Sequence, residues 1–99
     1  MTINMVNRGT ECELLLDGRL DAASSNEVWE GLQDIAKRFD RVILNLSKLQ
    51  YISSAGLRTM KLMHMAMRKK NGELILTNVN PMVMEVFEMT GFAGLLQFA

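Results

Sequence analysis

The sequence predicts an α/β domain with a mixed sheet of four to five strands and helices packed mainly on one face. Short aliphatic runs alternate with longer segments whose apolar residues recur at helical spacing. Capping and turn residues separate these segments and give the order ββαβαβα with a possible last strand. Helical crossovers between strands are typical of a largely parallel sheet. Because the chain has 99 residues, we expect one domain spanning residues 1–99.

Composition argues against several classes of function. Apolar residues make up 48% and charged residues 22%, which suits a folded core. Eleven basic and eleven acidic side chains cancel, so no overall field attracts nucleic acid or an anionic membrane. No apolar run approaches the ~20 residues that span a bilayer. The start of the chain lacks the pattern of a secretory signal and Cys12 is the only cysteine, so we expect a cytoplasmic protein with a buried, structural thiol.

The first two strands are predicted as a hairpin. Aliphatic runs at 3–6 and 12–16 flank residues 7–10, whose Asn and Gly favour a turn. Asp17 and Gly18 are expected to close the second strand.

The first helix is predicted to begin near Ser24 or Ser25. Ser24 and Glu27 have the spacing of a capping box, in which each side chain bonds the other residue's backbone N–H. Trp29 is expected at the edge of the core. Five apolar residues at helical spacing are expected inside it: Val28, Leu32, Ile35, Ala36 and Phe39.

A central strand and a long second helix follow. Residues 41–46 have the apolar continuity of a buried strand, and residues 47–50 are expected to turn the chain. The helix is predicted from Ala55 to Lys70, with Asn71-Gly72 as a left-handed cap.

The last third of the chain predicts a strand, a third helix and a possible final strand. The strand covers residues 74–76, and the helix has Asn80 as N-cap, Pro81 at its first position and Gly91 at its end. A short strand over residues 95–98 would complete the sheet. The inner face of the helix is expected to carry Val83, Met84, Val86 and Phe87.

The segment from Tyr51 to Leu57 places two serines at the start of the second helix. Unpaired N–H groups and the positive end of the helix dipole favour added negative charge there. A catalytic serine needs a general base within reach, but His64 stands ~15 Å along the same helix from Ser54. The first glycine of a Gly-x-Ser-x-Gly elbow is also missing. Lys48, which is close in sequence, is an alternative general base. The pattern nevertheless favours a serine that is modified by another enzyme.

The run from Ile43 to Leu57 resembles the signature of STAS domains, specifically of bacterial anti-sigma factor antagonists. Supporting matches are Gly18-Arg19-Leu20-Asp21, Asn71-Gly72-Glu73-Leu74 and Met89-Thr90-Gly91-Phe92. The resemblance covers nearly the whole chain in order. It implies a STAS-type fold and a regulatory protein that is not an enzyme.

The resemblance also implies a phosphorylation switch. The phosphorylated serine of the family falls on Ser54, and many relatives carry Asp where this chain has Ser53, so Ser53 is the alternative acceptor. The implied partners are an anti-sigma factor that is a serine kinase and a PP2C-type phosphatase, with no cofactor, no metal, no nucleic acid and no membrane. A monomer is favoured between encounters. We expect the partner-binding residues to be Asp21, Ser53, Ser54, Ala55, Gly56, Arg58 and Met65.

The second helix is rich in methionine and basic residues and contains no acid. Its apolar face predicts core packing by Leu57, Met60, Met63, Ala66 and Met67. The opposite side is either a solvated face or part of the partner surface, in which Met65 would adapt to a docked element. A nucleic-acid site is not expected, because the basic patch is short and lacks aromatic residues. His64 alone is not a metal site.

Other functions stay open on sequence grounds. A STAS module could serve a different complex, such as a stress-signalling assembly or a lipid-transport accessory protein. A small hydrolase using Ser53 or Ser54 is a further alternative.

Overall fold

The computed structural model describes all residues, Met1 to Ala99. It confirms the predicted order of elements and adds one short helix before the last strand. Because this helix includes Leu95, the last strand begins at Gln97 and not at residue 95 as predicted. The elements are β1 (Thr2–Arg8), β2 (Glu11–Leu20), α1 (Ser25–Arg38), β3 (Arg41–Ile52), α2 (Ser54–Lys69), β4 (Glu73–Thr77), α3 (Pro81–Met89), α4 (Phe92–Leu95) and β5 (Gln97–Phe98).

The five strands form one mixed sheet in the order β1-β2-β3-β4-β5. β1 is antiparallel to β2, and every other neighbouring pair is parallel. Because parallel crossovers are right-handed and each strand lies beside its predecessor, the connecting helices fall on the same face. The buried residues of α1, α2 and α3 accordingly join the sheet in one core of 22 residues. The predicted α/β class with helices on one face is confirmed.

Two predicted strand ends are wrong. β2 does not stop at Asp17-Gly18 but runs to Leu20, and residues 47–50 belong to β3 rather than to a turn. Irregularities after Leu15 and after Gly18 shift the register, so that the two strands keep pairing as far as Leu20 and Ile52. Such bulges bend a strand without ending it. The longer strands carry both chain segments to the same edge of the sheet.

Most helix predictions are confirmed. Asn80 caps α3 by accepting the Val83 N–H at 2.9 Å, and Pro81 occupies the first helical position. Asn71 takes a left-handed conformation (φ 59°) after α2. Cys12 is fully buried in β2. Residues predicted inside the core are buried, or partly buried in the case of Ile35, Ala66, Met84 and Val86.

The helix-free face of the sheet carries charged and polar side chains beside a few aliphatic ones. Glu11 pairs with Arg41 at 3.1 Å, and Arg8 pairs with Glu13 at 3.1 Å. Asn45 donates to the Glu13 carboxylate at 3.2 Å on the same face. These opposite charges pair across neighbouring strands. No helix of the structure combines the length and apolar character needed to cross a bilayer.

Candidate functional site at the start of α2

The predicted site residues meet where two parallel strands end. Leu20 of β2 pairs with Ile52 of β3, and the Ser53 N–H donates to the Leu20 carbonyl oxygen at 2.9 Å. Asp21 therefore lies beside Ser53 and Ser54 although 32 positions separate Asp21 from Ser53 in the sequence. The carboxyl edge of parallel strands is where α/β proteins place their binding residues.

The two neighbouring serines have different environments. The Ser53 hydroxyl oxygen accepts the Gly56 N–H at 3.2 Å, so Ser53 is the N-cap of α2 and is partly buried. Ser54 is exposed, and its hydroxyl makes no hydrogen bond within the protein. The N–H groups of Ser54 and Ala55 lie in the first turn, where a helix offers them no acceptor. The site therefore presents a free hydroxyl beside free donors.

Gly56 packs tightly against the end of β2. It is buried under the start of α2, and a Cβ there would lie 2.6 Å from the Leu20 carbonyl oxygen and 2.8 Å from Ile52 Cγ1. Gly56 therefore has a packing role, and its expected contact with a partner stays a prediction. Only glycine allows α2 to lie this close to the end of β2, and that close approach holds Ser54 at the surface.

Asp21 organises the turn before α1. Its Oδ1 accepts hydrogen bonds from the N–H groups of Ala23, at 3.1 Å, and Ser24, at 3.2 Å. The predicted capping box is wrong, since the Ser24 hydroxyl accepts the Asp21 N–H and donates to the Arg19 carbonyl instead of pairing with Glu27. Partial desolvation raises the pKa of Asp21, but the hydrogen bonds from Ser24 and Ala23 and the charge of Arg19 outweigh it and hold that pKa below its ordinary value.

Two cations lie in this region, one at the end of β2 and one on α2. The Arg19 guanidinium lies 4.3 Å from the centre of the Tyr51 ring, and its Nε is 3.9 Å from the Asp21 carboxylate. Arg58 is exposed one helical turn after Ser54, on the same side of α2. The sequence predicts site roles for Asp21, Ser54 and Arg58 but none for Arg19 or Tyr51. Their signal was present, because Arg19 lies inside the Gly-Arg-Leu-Asp motif.

No histidine or lysine side chain stands near either serine as a general base. His64 lies far along α2, where burial and Arg68 lower its pKa. Lys48 lies opposite Asp17 in the register of β2 and β3. It precedes Ser53 by five residues, which is about 16 Å along extended backbone. This distance argues against Lys48 as a general base for either serine. No group of His, Cys, Asp and Glu side chains is arranged to hold a metal ion.

Met65, the remaining predicted contact residue, is 51% exposed on α2. It lines a groove between α1 and α2 together with Trp29 and Ala66. This groove reaches the first turn of α2, where Ala55 and Arg58 line its end. Met65 and the serines therefore belong to one continuous side of the molecule.

Comparison with protein families decides the family of this chain. The STAS domain model matches residues 2–99. The chain belongs to the STAS family. This STAS protein is 39% identical over 85 residues to BtrV of Bordetella bronchiseptica, which is named as a candidate anti-sigma factor antagonist. The aligned region covers 85% of this chain and 73% of BtrV. The chain is 30% identical over 78 residues to the anti-sigma F factor antagonist of Paenibacillus polymyxa, covering 77% and 67% of the two chains.

Solved structures share the fold of this STAS protein. The anti-sigma factor antagonist SpoIIAA in its unphosphorylated form superposes with a TM-score of 0.84 at 19% identity, covering 99% of this chain and 88% of SpoIIAA. The phosphorylated form of Bacillus SpoIIAA superposes with a TM-score of 0.77 at 18% identity, covering 99% and 91%. At sequence identities this low, the superpositions show a shared fold and no more.

Proposed function

We propose that this STAS protein is an anti-sigma factor antagonist whose binding is switched by phosphorylation of Ser54. In this proposal the unmodified protein binds an anti-sigma factor that is also a serine kinase, and so frees a sigma factor. The kinase then phosphorylates Ser54 and the complex separates, until a PP2C-type phosphatase restores the hydroxyl. The protein is a cytoplasmic regulator and a kinase substrate rather than an enzyme.

One observation carries the choice of Ser54. Its hydroxyl is exposed and unbonded, whereas the Ser53 hydroxyl is occupied as the helix cap. A kinase acting on Ser54 leaves the start of α2 intact, but one acting on Ser53 has to break the cap first. Loss of a serine cap costs about 1 kcal/mol. Ser54 is therefore the better acceptor on energetic grounds.

The local structure tolerates the added phosphate. Phosphorylation brings about −1.5 to −2 charges at neutral pH. The free N–H groups of Ser54 and Ala55 and the positive end of the α2 dipole favour that charge. Arg58, one turn further, is within reach of a group on Ser54. The fold thus accepts the phosphate, and its effect falls on whatever docks there.

Docking is weakened in two ways by the same phosphate. It adds negative charge to a surface that a partner covers, and it draws Arg58 away from the partner. The contact residues in this proposal are Asp21, Ala55, Gly56, Arg58 and Met65 around the two serines. The names of BtrV and of the Paenibacillus relative support an anti-sigma factor as the partner class. The existence of SpoIIAA in two phosphorylation states supports the switch.

Phosphate mapping tests the acceptor. The purified protein is incubated with ATP and the anti-sigma factor kinase of its own organism, and modified peptides are identified by mass spectrometry. Ser54→Ala is expected to abolish the label, whereas Ser53→Ala and the exposed control Ser47→Ala retain it. Labelling that persists in Ser54→Ala and disappears in Ser53→Ala would reject the assignment.

Calorimetric titration tests the switch. Ser54→Asp is expected to bind the anti-sigma factor at least about tenfold more weakly than the wild type, which corresponds to 1.4 kcal/mol. Ser54→Asn, with a similar volume and no charge, separates charge from shape and is expected to bind close to the wild type. Equal affinities of Ser54→Asp and the wild type would exclude a charge switch at this position.

A further inference from the structure

A continuous groove separates α1 from α2. It consists of three depressions of about 550, 370 and 190 Å³. Trp29 lines all three, while Leu62 and Ala66 are each shared by two of them. The groove follows α2 from Ala55 to Lys70, a length of about 22 Å at 1.5 Å per residue. A helix of about 15 residues has the same length.

The floor of the groove is apolar and accessible. Trp29, Leu62 and Ala66 are only partly buried, and Trp29 and Ala66 pack against the core. Met65 is largely exposed at the rim, and an unbranched thioether side chain adapts to varied apolar surfaces. Aromatic residues and methionine are enriched where proteins bind one another. This floor resembles those on which amphipathic helices dock.

The charged residues that line the groove are all basic. No acidic side chain lines the groove; Asp34 is paired with Arg38, and Asp40 lies 3.8 Å from Lys70. Lys70 donates to carbonyl oxygens of α1 and is not free for a partner. The overall charge of the protein is zero, so this local excess is not a consequence of composition. The basic lining residues are Lys37, Arg58, Arg68, Lys69 and Lys70.

We propose that the groove binds an acidic amphipathic helix of the same anti-sigma factor that acts on Ser54, an inference that rests on the proposed function. Charge complementarity selects an acidic segment, since every charged residue that lines the groove is basic. Continuity selects the same partner, because Ala55 and Arg58 line the end of the groove and lie one and four positions after Ser54.

This arrangement links the groove to the switch. A helix seated between α1 and α2 has its end close to the first turn of α2. A phosphate on Ser54 repels acidic groups at that end and competes for Arg58. One modification therefore weakens both the contact around the serines and the seating of the helix.

Fluorine NMR reports on the groove directly. Trp29 is the only tryptophan, so growth with 5-fluorotryptophan gives this protein a single resonance while the anti-sigma factor stays unlabelled. Addition of the anti-sigma factor is expected to shift or broaden that resonance. The same addition to the phosphorylated protein is expected to leave it in place.

A matched pair of charge reversals tests the acidic partner. Lys69 lines the groove, whereas Lys61 is exposed on α2 outside it. Lys69→Glu is expected to weaken binding of the anti-sigma factor about fivefold or more, and Lys61→Glu less than about twofold. Met65→Ser tests the apolar floor and is expected to weaken binding about tenfold. Circular dichroism checks that each variant is folded.

The outcomes separate the groove from the switch. If the anti-sigma factor binds and phosphorylates Ser54 while the Trp29 resonance stays unmoved, the groove is excluded and the proposed function stands. Equal effects of Lys69→Glu and Lys61→Glu would exclude an acidic helix in the groove. If the anti-sigma factor neither binds nor phosphorylates the protein, the proposed function fails and the groove loses its occupant.

Discussion

The Ser53 hydroxyl oxygen accepts the Gly56 N–H at 3.2 Å. The hydroxyl of Ser54, the next residue along the chain, makes no such hydrogen bond. Two adjacent residues of the same type therefore have separate duties. Ser53 holds the helix start, and Ser54 faces the solvent. This separation can be measured on the isolated protein, without any partner.

Alanine substitutions are expected to separate the two serines by stability. Ser53→Ala removes the cap and should lower the free energy of unfolding by about 1 kcal/mol. Ser54→Ala removes an exposed hydroxyl without a partner and should change that free energy by less than about 0.5 kcal/mol. Urea denaturation followed by circular dichroism measures both values. Equal losses would mean that Ser54 shares the capping role.

Gly56→Ala is expected to destabilise the fold, although alanine is normally favoured over glycine in a helix. The added Cβ would lie 2.6 Å from the Leu20 carbonyl oxygen, so the start of α2 has to move away from β2. Overpacking of this kind costs about 1 to 3 kcal/mol, which exceeds the helix propensity gained by alanine. Thermal and urea denaturation measure the loss.

Gly31→Ala is the matched control for Gly56→Ala. Gly31 also lies inside a helix, but a Cβ there meets nothing within 4 Å. Alanine is favoured over glycine in a helix by up to about 1 kcal/mol, so this variant should be more stable than the wild type. If both glycine variants changed stability in the same direction, close packing at Gly56 would not be the cause.

Local signals in the sequence predicted most of the fold. Asn80-Pro81 and Asn71-Gly72 mark helix ends through their own backbone preferences, so a single sequence reveals them. The strand ends were missed because pairing continues through irregularities in register after Leu15 and Gly18. A polar stretch such as 47–50 looks like a turn when its neighbouring strand is unknown. Strand length there depends on tertiary pairing.

The candidate site was predictable in part. The two serines and Asp21 were found by motif, but their local patterns do not reveal that Ser53 caps α2 or that Gly56 is buried. The first depends on a side-chain rotamer and the second on the distance between α2 and β2. The groove around Trp29 was also missed, since it arises from two helices that are distant in sequence.

Lys70 is expected to stabilise the C-terminal end of α1. Its Nζ donates to the carbonyl oxygens of Ala36 and Phe39 at 3.0 Å each, where a helix dipole favours a cation. Lys70→Met keeps the aliphatic stem but removes these bonds, and should cost about 1 to 2 kcal/mol in urea denaturation. The exposed neighbour Lys69 makes no such bond, so Lys69→Met should change stability by less than about 0.5 kcal/mol. A similar loss in both variants would show that general charge, not these bonds, matters.

Asp21 is expected to make stability depend on acid pH. Its pKa is lower in the folded state than in the unfolded chain, so its ionised form stabilises the fold at pH values above the unfolded pKa of about 4. That contribution is lost as pH falls through the folded pKa. Asp21→Asn keeps an oxygen that can accept the N–H groups of Ala23 and Ser24 but cannot ionise. Wild type and Asp21→Asn should therefore differ most at pH 6 and converge near pH 2, measured by thermal denaturation across this range. Glu30→Gln removes an exposed carboxylate without an ion pair and is the control. Its stability difference from the wild type should not change between pH 6 and pH 2 as that of Asp21→Asn does. If both variants showed the same pH dependence, the effect would be assigned to net charge alone.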